Sequence, residues 1–151
     1  MASRTTREPR PGDGDGKSYE HVTEDEFEAL RLGGRLLEWA EVHGALYGTP
    51  REDVERLLSE GRDVLLEIDV QGAQQVKELV PGAISIFLEP PSWEVLEARL
   101  RGRGTEGPEA TRRRLETARR ELEEAPRFDH RVVNHDLETA VEEVDRILEQ
   151  R

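Results

Sequence analysis

Glu67 and Asp69 stand two residues apart at the end of the apolar run Val64-Leu65-Leu66-Glu67-Ile68-Asp69-Val70. On a strand, both carboxylates project from one face, at the end where open parallel sheets place their ligand crevice. A carboxylate there is costly unless it meets a hydrogen-bond donor or a metal ion, directly or through water. A helix cap or a structural ion pair would satisfy it as well. Arg99 and Arg103 are four apart and so share a helical face, which leads into Gly102, Gly104 and Gly107, with Arg114 beyond them. Three guanidiniums on a hinged segment can close over phosphate oxygens and neutralise charge as it shifts during a transfer. The same arginines have Glu94, Glu97 and Glu116 near enough in sequence to form a salt-bridged surface instead. Thr49 and Ser92 read in isolation as helix caps, and Tyr19 and Tyr47 as fillers of core or surface. His43, His130 and His135 show no ligand spacing with one another. The chain has no cysteine, which excludes disulfides, thiolate metal sites and cysteine nucleophiles.

The elements that must position these groups follow from pattern. Residues 1–19 are rich in Gly, Pro and charge and read as an extended lead-in followed by a loop. Thr23 and Glu26 form a capping box for a short helix with Phe27 and Leu30 inward, closed by Gly33-Gly34. Arg35 to Tyr47 reads as short strands broken at Gly44. Thr49, Pro50 and Glu52 mark a second helix start, with Val54, Leu57 and Leu58 buried. Val64–Val70 is predicted as a strand covered on both faces, Gln71–Leu79 as a helix and Ala83–Leu88 as a second buried strand. Ser92 caps a helix with Trp93, Leu96 and Leu100 inward, and Pro108 opens another helix running to about Ala125. A short strand at Arg131–Asn134 precedes a final helix that buries Leu137, Val141, Val144, Ile147 and Leu148. Strands alternating with helices predict an α/β fold with a parallel sheet.

At 151 residues the chain can bury a real core. A net charge of −12 sets the whole-molecule field against nucleic acid and anionic membrane, so neither is expected as a partner. Arginines nevertheless gather in two places, at Arg4, Arg7 and Arg10 and between Arg99 and Arg120, which suits a local anion pocket. Of 22 basic residues only Lys17 and Lys77 are lysines, a bias that fits a GC-rich genome and tempers the meaning of any single arginine. No apolar run is long enough to span a bilayer, and a cytoplasmic location is expected.

Six segments, in this order and spacing, resemble the guanylate kinase family across essentially the whole chain. They are Ser3-Arg4-Thr5-Thr6-Arg7-Glu8-Pro9-Arg10-Pro11-Gly12, Leu37-Glu38-Trp39-Ala40, Tyr47-Gly48-Thr49, Leu66-Glu67-Ile68-Asp69-Val70-Gln71-Gly72, Pro90-Pro91-Ser92 and Arg99-Leu100-Arg101-Gly102-Arg103-Gly104-Thr105. The resemblance implies a fold like that of the P-loop nucleoside monophosphate kinases. It would have a parallel sheet with helices on both faces and a small α+β GMP-binding insertion, with residues 1–60 as the GMP-binding region and 61–151 as a partial kinase core whose lid spans about 99–115. It implies phosphoryl transfer from ATP to GMP, or to dGMP, with Mg²⁺. By matching positions, Ser3, Arg7, Arg10, Tyr19 and Tyr47 hold the GMP phosphate, and Glu38, Thr49 and Glu67 read the guanine. Asp69 lies near the phosphates and the metal, which it meets through water, and Arg99, Arg103 and Arg114, together with Arg7, reach the transferred group.

The same resemblance marks a departure. The family pattern opens with a strand, a glycine loop that cradles the donor's phosphates and a helix, and this chain starts at Met1-Ala2-Ser3, just after that unit. Gly12–Ser18 looks like such a loop, but no apolar strand precedes it and no apolar helix follows. The expectation is therefore that the central first strand and the P-loop are absent, and that the chain alone is inactive or impaired. Val64–Asp69 and Ile84–Leu88 would face each other with unpaired edges, which would leave the chain poorly folded, rearranged or dependent on a partner, and open to self-association through those edges. Two functions compete: a guanylate kinase whose ATP-binding loop lies outside this chain, and a noncatalytic guanylate kinase-like module that binds GMP or a phosphorylated partner.

Overall fold

The computed structural model describes residues 1–9, 18–102 and 107–150, which form two compact units, Met1–Ala83 and Ile84–Arg151. Arg10, Arg103 and the Gly12–Lys17 part of the loop-like segment lie outside the described residues.

The first unit is built on a mixed four-stranded sheet. Strands β1 (Ser3–Thr5), β2 (Tyr19–His21), β3 (Leu36–Val42) and β4 (Ala45–Pro50) lie in the order β2-β1-β4-β3. β1 runs parallel to β2 and antiparallel to β4, and β3 and β4 form a hairpin. The hairpin turns on His43 and Gly44, both at positive φ (52° and 81°), the pair of left-handed residues that matches the twist of a two-residue turn. Helix α1 (Glu24–Leu32) carries the expected capping box, with Glu26 N–H donating to Thr23 Oγ1 and Thr23 N–H to Glu26 Oε2. Its Phe27 is fully buried, and Leu36, Leu37 and Val54 are buried in the same unit. Gly48 belongs there because a Cβ would run into Leu36 Cδ1 and Phe27 Cζ. Alternation along the strands then sends Glu38, Ala40, Tyr47 and Thr49 to the opposite face.

Two sequence expectations give way in this unit. Helix α2 (Arg51–Ser59) is capped by Pro50 without any side-chain hydrogen bond, because the Thr49 hydroxyl is committed elsewhere. Leu58 is exposed and Leu57 half-buried, so Val54 is the one residue of that helix in the buried class. The run Val64–Asp69 is not a strand, and helix α3 (Val70–Leu79) begins directly after it. An apolar run becomes a strand only by pairing its amides with a neighbour, and among the described residues none pairs with this one. Its side chains alternate, with Val64, Leu66 and Ile68 half-buried and Leu65 79% exposed, so one face is covered rather than two.

In the second unit β5 (Ile86–Glu89) and β6 (His130–Val133) are parallel, joined through helices α4 (Trp93–Gly102) and α5 (Pro108–Glu124) and a short 3₁₀ turn at Ala125–Arg127. Asp129 and Ser85 lock the start of the pair, since Asp129 accepts from both Ser85 N–H and Oγ while its own N–H donates back to Ser85 Oγ. Arg131 and Glu89 form a two-pronged ion pair at its other end. Phe87 meets Phe128 edge to face at 5.1 Å, and Val132 of β6 is fully buried. Helix α6 (Leu137–Glu149) packs through Ala140. Leu137 and Val141, expected inside, are exposed, because a two-stranded sheet is too narrow to cover the helix's whole apolar stripe. Ser92 caps α4 as expected, its hydroxyl accepting from Val95 N–H.

Candidate active site

On the sheet face opposite Phe27 the first unit holds a cleft of about 310 Å³. Ser3, Tyr19, Glu38 and Tyr47 project into it from β1, β2, β3 and β4, and Glu67, Ile68 and Asp69 form its remaining wall. Six of the residues expected from sequence are thus brought together from positions 3 to 69.

One end of this cleft is acidic and buried. Glu38 is only 4% exposed and Thr49 1%, and the two are cross-strand partners in the β3–β4 hairpin. Thr49 Oγ1 donates to Glu38 Oε1 at 2.5 Å. Burial raises the Glu38 pKa above its usual value; the Thr49 hydrogen bond opposes the rise, and the nearby charge of Asp69 adds to it. Asp69 is the N-cap of α3: its Oδ1 accepts from Gly72 N–H at 2.8 Å and its Oδ2 from Gln71 Nε2 at 2.9 Å. The helix-cap reading of Asp69 is therefore realised, and it coexists with a place in the cleft wall. Glu67 lies on the exposed side of its segment and lines the same cleft.

Two tyrosines also line the cleft, and Arg7 lies beside one of them. Tyr19 and Tyr47 meet edge to face at 6.1 Å. The Arg7 guanidinium lies 5.4 Å from the centre of the Tyr19 ring and donates to Glu8 C=O at 2.9 Å. Tyrosine and serine hydroxyls beside a guanidinium suit an oxyanion, and the Glu38 carboxylate suits a pair of N–H donors.

The second unit carries the remaining expected residues. Arg99, on the last turns of α4, donates to the main-chain carbonyls of Asn134 and His135, both at 3.2 Å. Arg114 is half-buried on α5. Salt bridging, the alternative reading of this segment, holds for its neighbours: Arg101 pairs with Glu97, and Arg112 with Glu109 and Glu116. Among the described residues no three acidic or histidine side chains gather as a metal site, and no helix is long and apolar enough to cross a membrane.

Sequence reasoning missed the cleft's apolar lining, Ala40, Val42 and Ile68, and two residues of α3. Gly72 presses its backbone against the Glu38 carboxylate so closely that a Cβ would sit under 3.0 Å from Oε2. Gln75 hydrogen-bonds both main-chain groups of Trp39. Gly72 fell within a segment already singled out, whereas a polar residue in mid-helix gave no signal for Gln75.

Strands, helices and a polar cleft on one sheet face define an α/β protein with a candidate site in its first unit. The model of the guanylate kinase family matches residues 1–151. The guanylate kinase of Gloeobacter violaceus is 54% identical over 146 residues, 97% of this chain and 71% of that protein, and that of Corynebacterium jeikeium is 49% identical over 148 residues, 97% of this chain and 79% of that protein. The crystal structure of guanylate kinase from Anaplasma phagocytophilum superposes with a TM-score of 0.85 at 35% identity, covering 99% of this chain and 73% of that one. The chain belongs to the guanylate kinase family, phosphotransferases that act on GMP with ATP.

Proposed function

We propose that the cleft binds GMP, with guanine at the Glu38 end and phosphate at the tyrosine end, as the acceptor site for phosphoryl transfer from ATP. The observation that carries this reading is the buried Glu38–Thr49 pair. Guanine presents N1–H and N2–H₂ side by side, which one ionised carboxylate accepts together; adenine offers no such pair. A buried polar site left unpaired by the wrong base discriminates by a factor of roughly 10⁴.

In this reading Ser3, Tyr19, Tyr47, Arg7 and Arg10 hold the monophosphate, while Thr49 and Glu67 support recognition of the base. A phosphate oxygen of GMP attacks the γ-phosphorus of ATP, the bond to the bridging oxygen breaks, and ADP leaves with the electron pair. Arg99, Arg103 and Arg114 neutralise the charge that shifts in this step, for which Arg99 must release the carbonyls of Asn134 and His135. Mg²⁺ binds its substrates through few protein ligands, so a single carboxylate such as Asp69, acting through water, fits the ion, which would screen the phosphates. The finer architecture that goes with this function is a parallel-sheet nucleotide kinase core carrying an α+β GMP-binding region, in a cytoplasmic enzyme.

Calorimetry with GMP and AMP, beside a coupled ADP-release assay with ATP and GMP, tests the proposal. Selective GMP binding with turnover is the expected result, and equal affinity for the two nucleotides would sink it. The engagement of Arg99 with main-chain carbonyls favours a second reading, a noncatalytic GMP-binding module, which predicts selective binding without ADP release.

A further inference from the structure

β3 is an end strand of its sheet, so half of its main-chain groups have no neighbouring strand to meet. At Trp39 a side chain takes the neighbour's place. Trp39 N–H donates to Gln75 Oε1 at 3.2 Å, and Gln75 Nε2 donates to Trp39 C=O at 2.7 Å. A primary amide has one acceptor and one donor at the spacing of a peptide unit, so glutamine can complete both bonds at once. Glutamate would set an oxygen against the Trp39 carbonyl, and leucine would complete neither bond. The same Nε2 also reaches Gln71 C=O at 3.3 Å, which ties the clamp to the first turn of α3.

That first turn lies against the neighbouring residue of the strand. Gly72, whose N–H is capped by Asp69, leaves no room for a Cβ beside Glu38 Oε2 and Cδ. Its backbone is not in the left-handed region, so glycine is needed here for space rather than for conformation. Trp39 and Glu38 are adjacent on β3, and Gln75 and Gly72 are one turn apart on α3. The clamp at one pair therefore sets the distance at the other.

We infer that α3 is the positioning element of the base-reading carboxylate: Gln75 fixes the helix to the β3 edge so that the Gly72 backbone holds Glu38 in the rotamer that faces the cleft. Gln75 is a positioning residue, and Gly72 supplies the gap that Glu38 occupies. This inference rests on the proposed GMP site and adds what aims its carboxylate.

The test compares GMP with IMP, which keeps N1–H and lacks the N2 amino group, so that their affinity ratio reports the aim of Glu38 rather than binding in general. In Gln75→Leu, GMP affinity should fall about tenfold, the scale of one hydrogen bond to a charged group, while IMP affinity changes less and the ratio drops toward one. Gly72→Ala should lower the same ratio although alanine favours the helix, a divergence between binding and stability that a merely structural role would not give. Gln75→Glu should behave as Gln75→Leu, and combining Gln75→Leu with Gly72→Ala should cost less than the sum of the two. Should Gln75→Leu precipitate, Gln75→Ala, which lets water reach the strand edge, gives the same readout. An unchanged GMP-to-IMP ratio in the Gln75 and Gly72 variants overturns the inference while leaving the GMP site standing. Failure of the unaltered chain to bind GMP removes both.

Discussion

The first unit's cleft and the second unit's arginine-bearing helices solve the handling of charge in opposite ways. In the cleft a carboxylate is taken out of water, bonded to a buried threonine hydroxyl and pressed against a helix backbone. On α4 and α5 no residue is fully buried; Arg101 and Arg112 rest on glutamates three or four residues away, Arg99 on main-chain carbonyls and Arg119 on the Trp93 ring. Buried charge is expensive and must be fixed in advance, whereas exposed charge is cheap and can change partners. The contrast separates a carboxylate held in place from arginines whose partners lie at the surface.

The sharpest way to break that contrast is Glu38→Gln. The amide keeps the shape but replaces an acceptor with a donor facing guanine's own donors, and GMP affinity should fall on the order of 10³-fold by calorimetry. Opposite pH signs accompany this loss. GMP needs the ionised carboxylate, so its affinity in the unaltered protein should rise with pH through the elevated Glu38 pKa. Fold stability should behave in reverse: a raised carboxyl pKa contributes stability that is present below the ordinary value of 4.5 and lost as pH rises through the folded value. Glu38→Gln should abolish both dependences and melt no lower than the parent at neutral pH. A GMP affinity that stays flat across that pH window would show that Glu38 does not read the base.

Next in size is Arg99→Ala. Removing one oriented positive group from a charge-shifting step should lower turnover about 10²-fold, with GMP affinity changed less than about twofold. An equal fall in affinity and turnover would place Arg99 in recognition and erase the difference between the two regions.

Thr49→Val sharpens the contrast from the other side, and it shows what sequence could and could not convey. The variant removes the donor to Glu38 Oε1 and leaves a buried oxygen short of a partner. GMP affinity should drop about tenfold, with about 1–2 kcal/mol lost in urea unfolding. Read in isolation Thr49 looked like a helix cap, and only the family resemblance set it beside Glu38; the β3–β4 register makes the two cross-strand partners. Thr23 and Glu26 were legible because a capping box is closed within four residues. The roles of Glu38, Tyr19 and Tyr47 came through resemblance to a family, whereas Asp69 was also marked by its place at the end of an apolar run. Val64–Asp69 was misread because apolarity reports burial, while strand identity depends on a pairing partner elsewhere in the chain. Gln75 escaped because its partner is main chain, which carries no side-chain signature.

The smallest expected effect belongs to Arg112→Ala. Arg112 holds Glu109 at 2.8 Å and Glu116 at 2.7 Å on the exposed face of α5, and the hydrogen bond it donates to Glu109 is the chief cause that raises its pKa. In solvent such pairs gain little, because water screens both charges and the long side chains lose freedom to meet. The melting midpoint should move by less than about 2 °C, and GMP affinity and turnover should be unchanged. A tenfold loss of turnover from this substitution would mean that the α5 surface enters the transfer step, so that exposed arginines paired with glutamate could no longer be set apart from those held only by carbonyls.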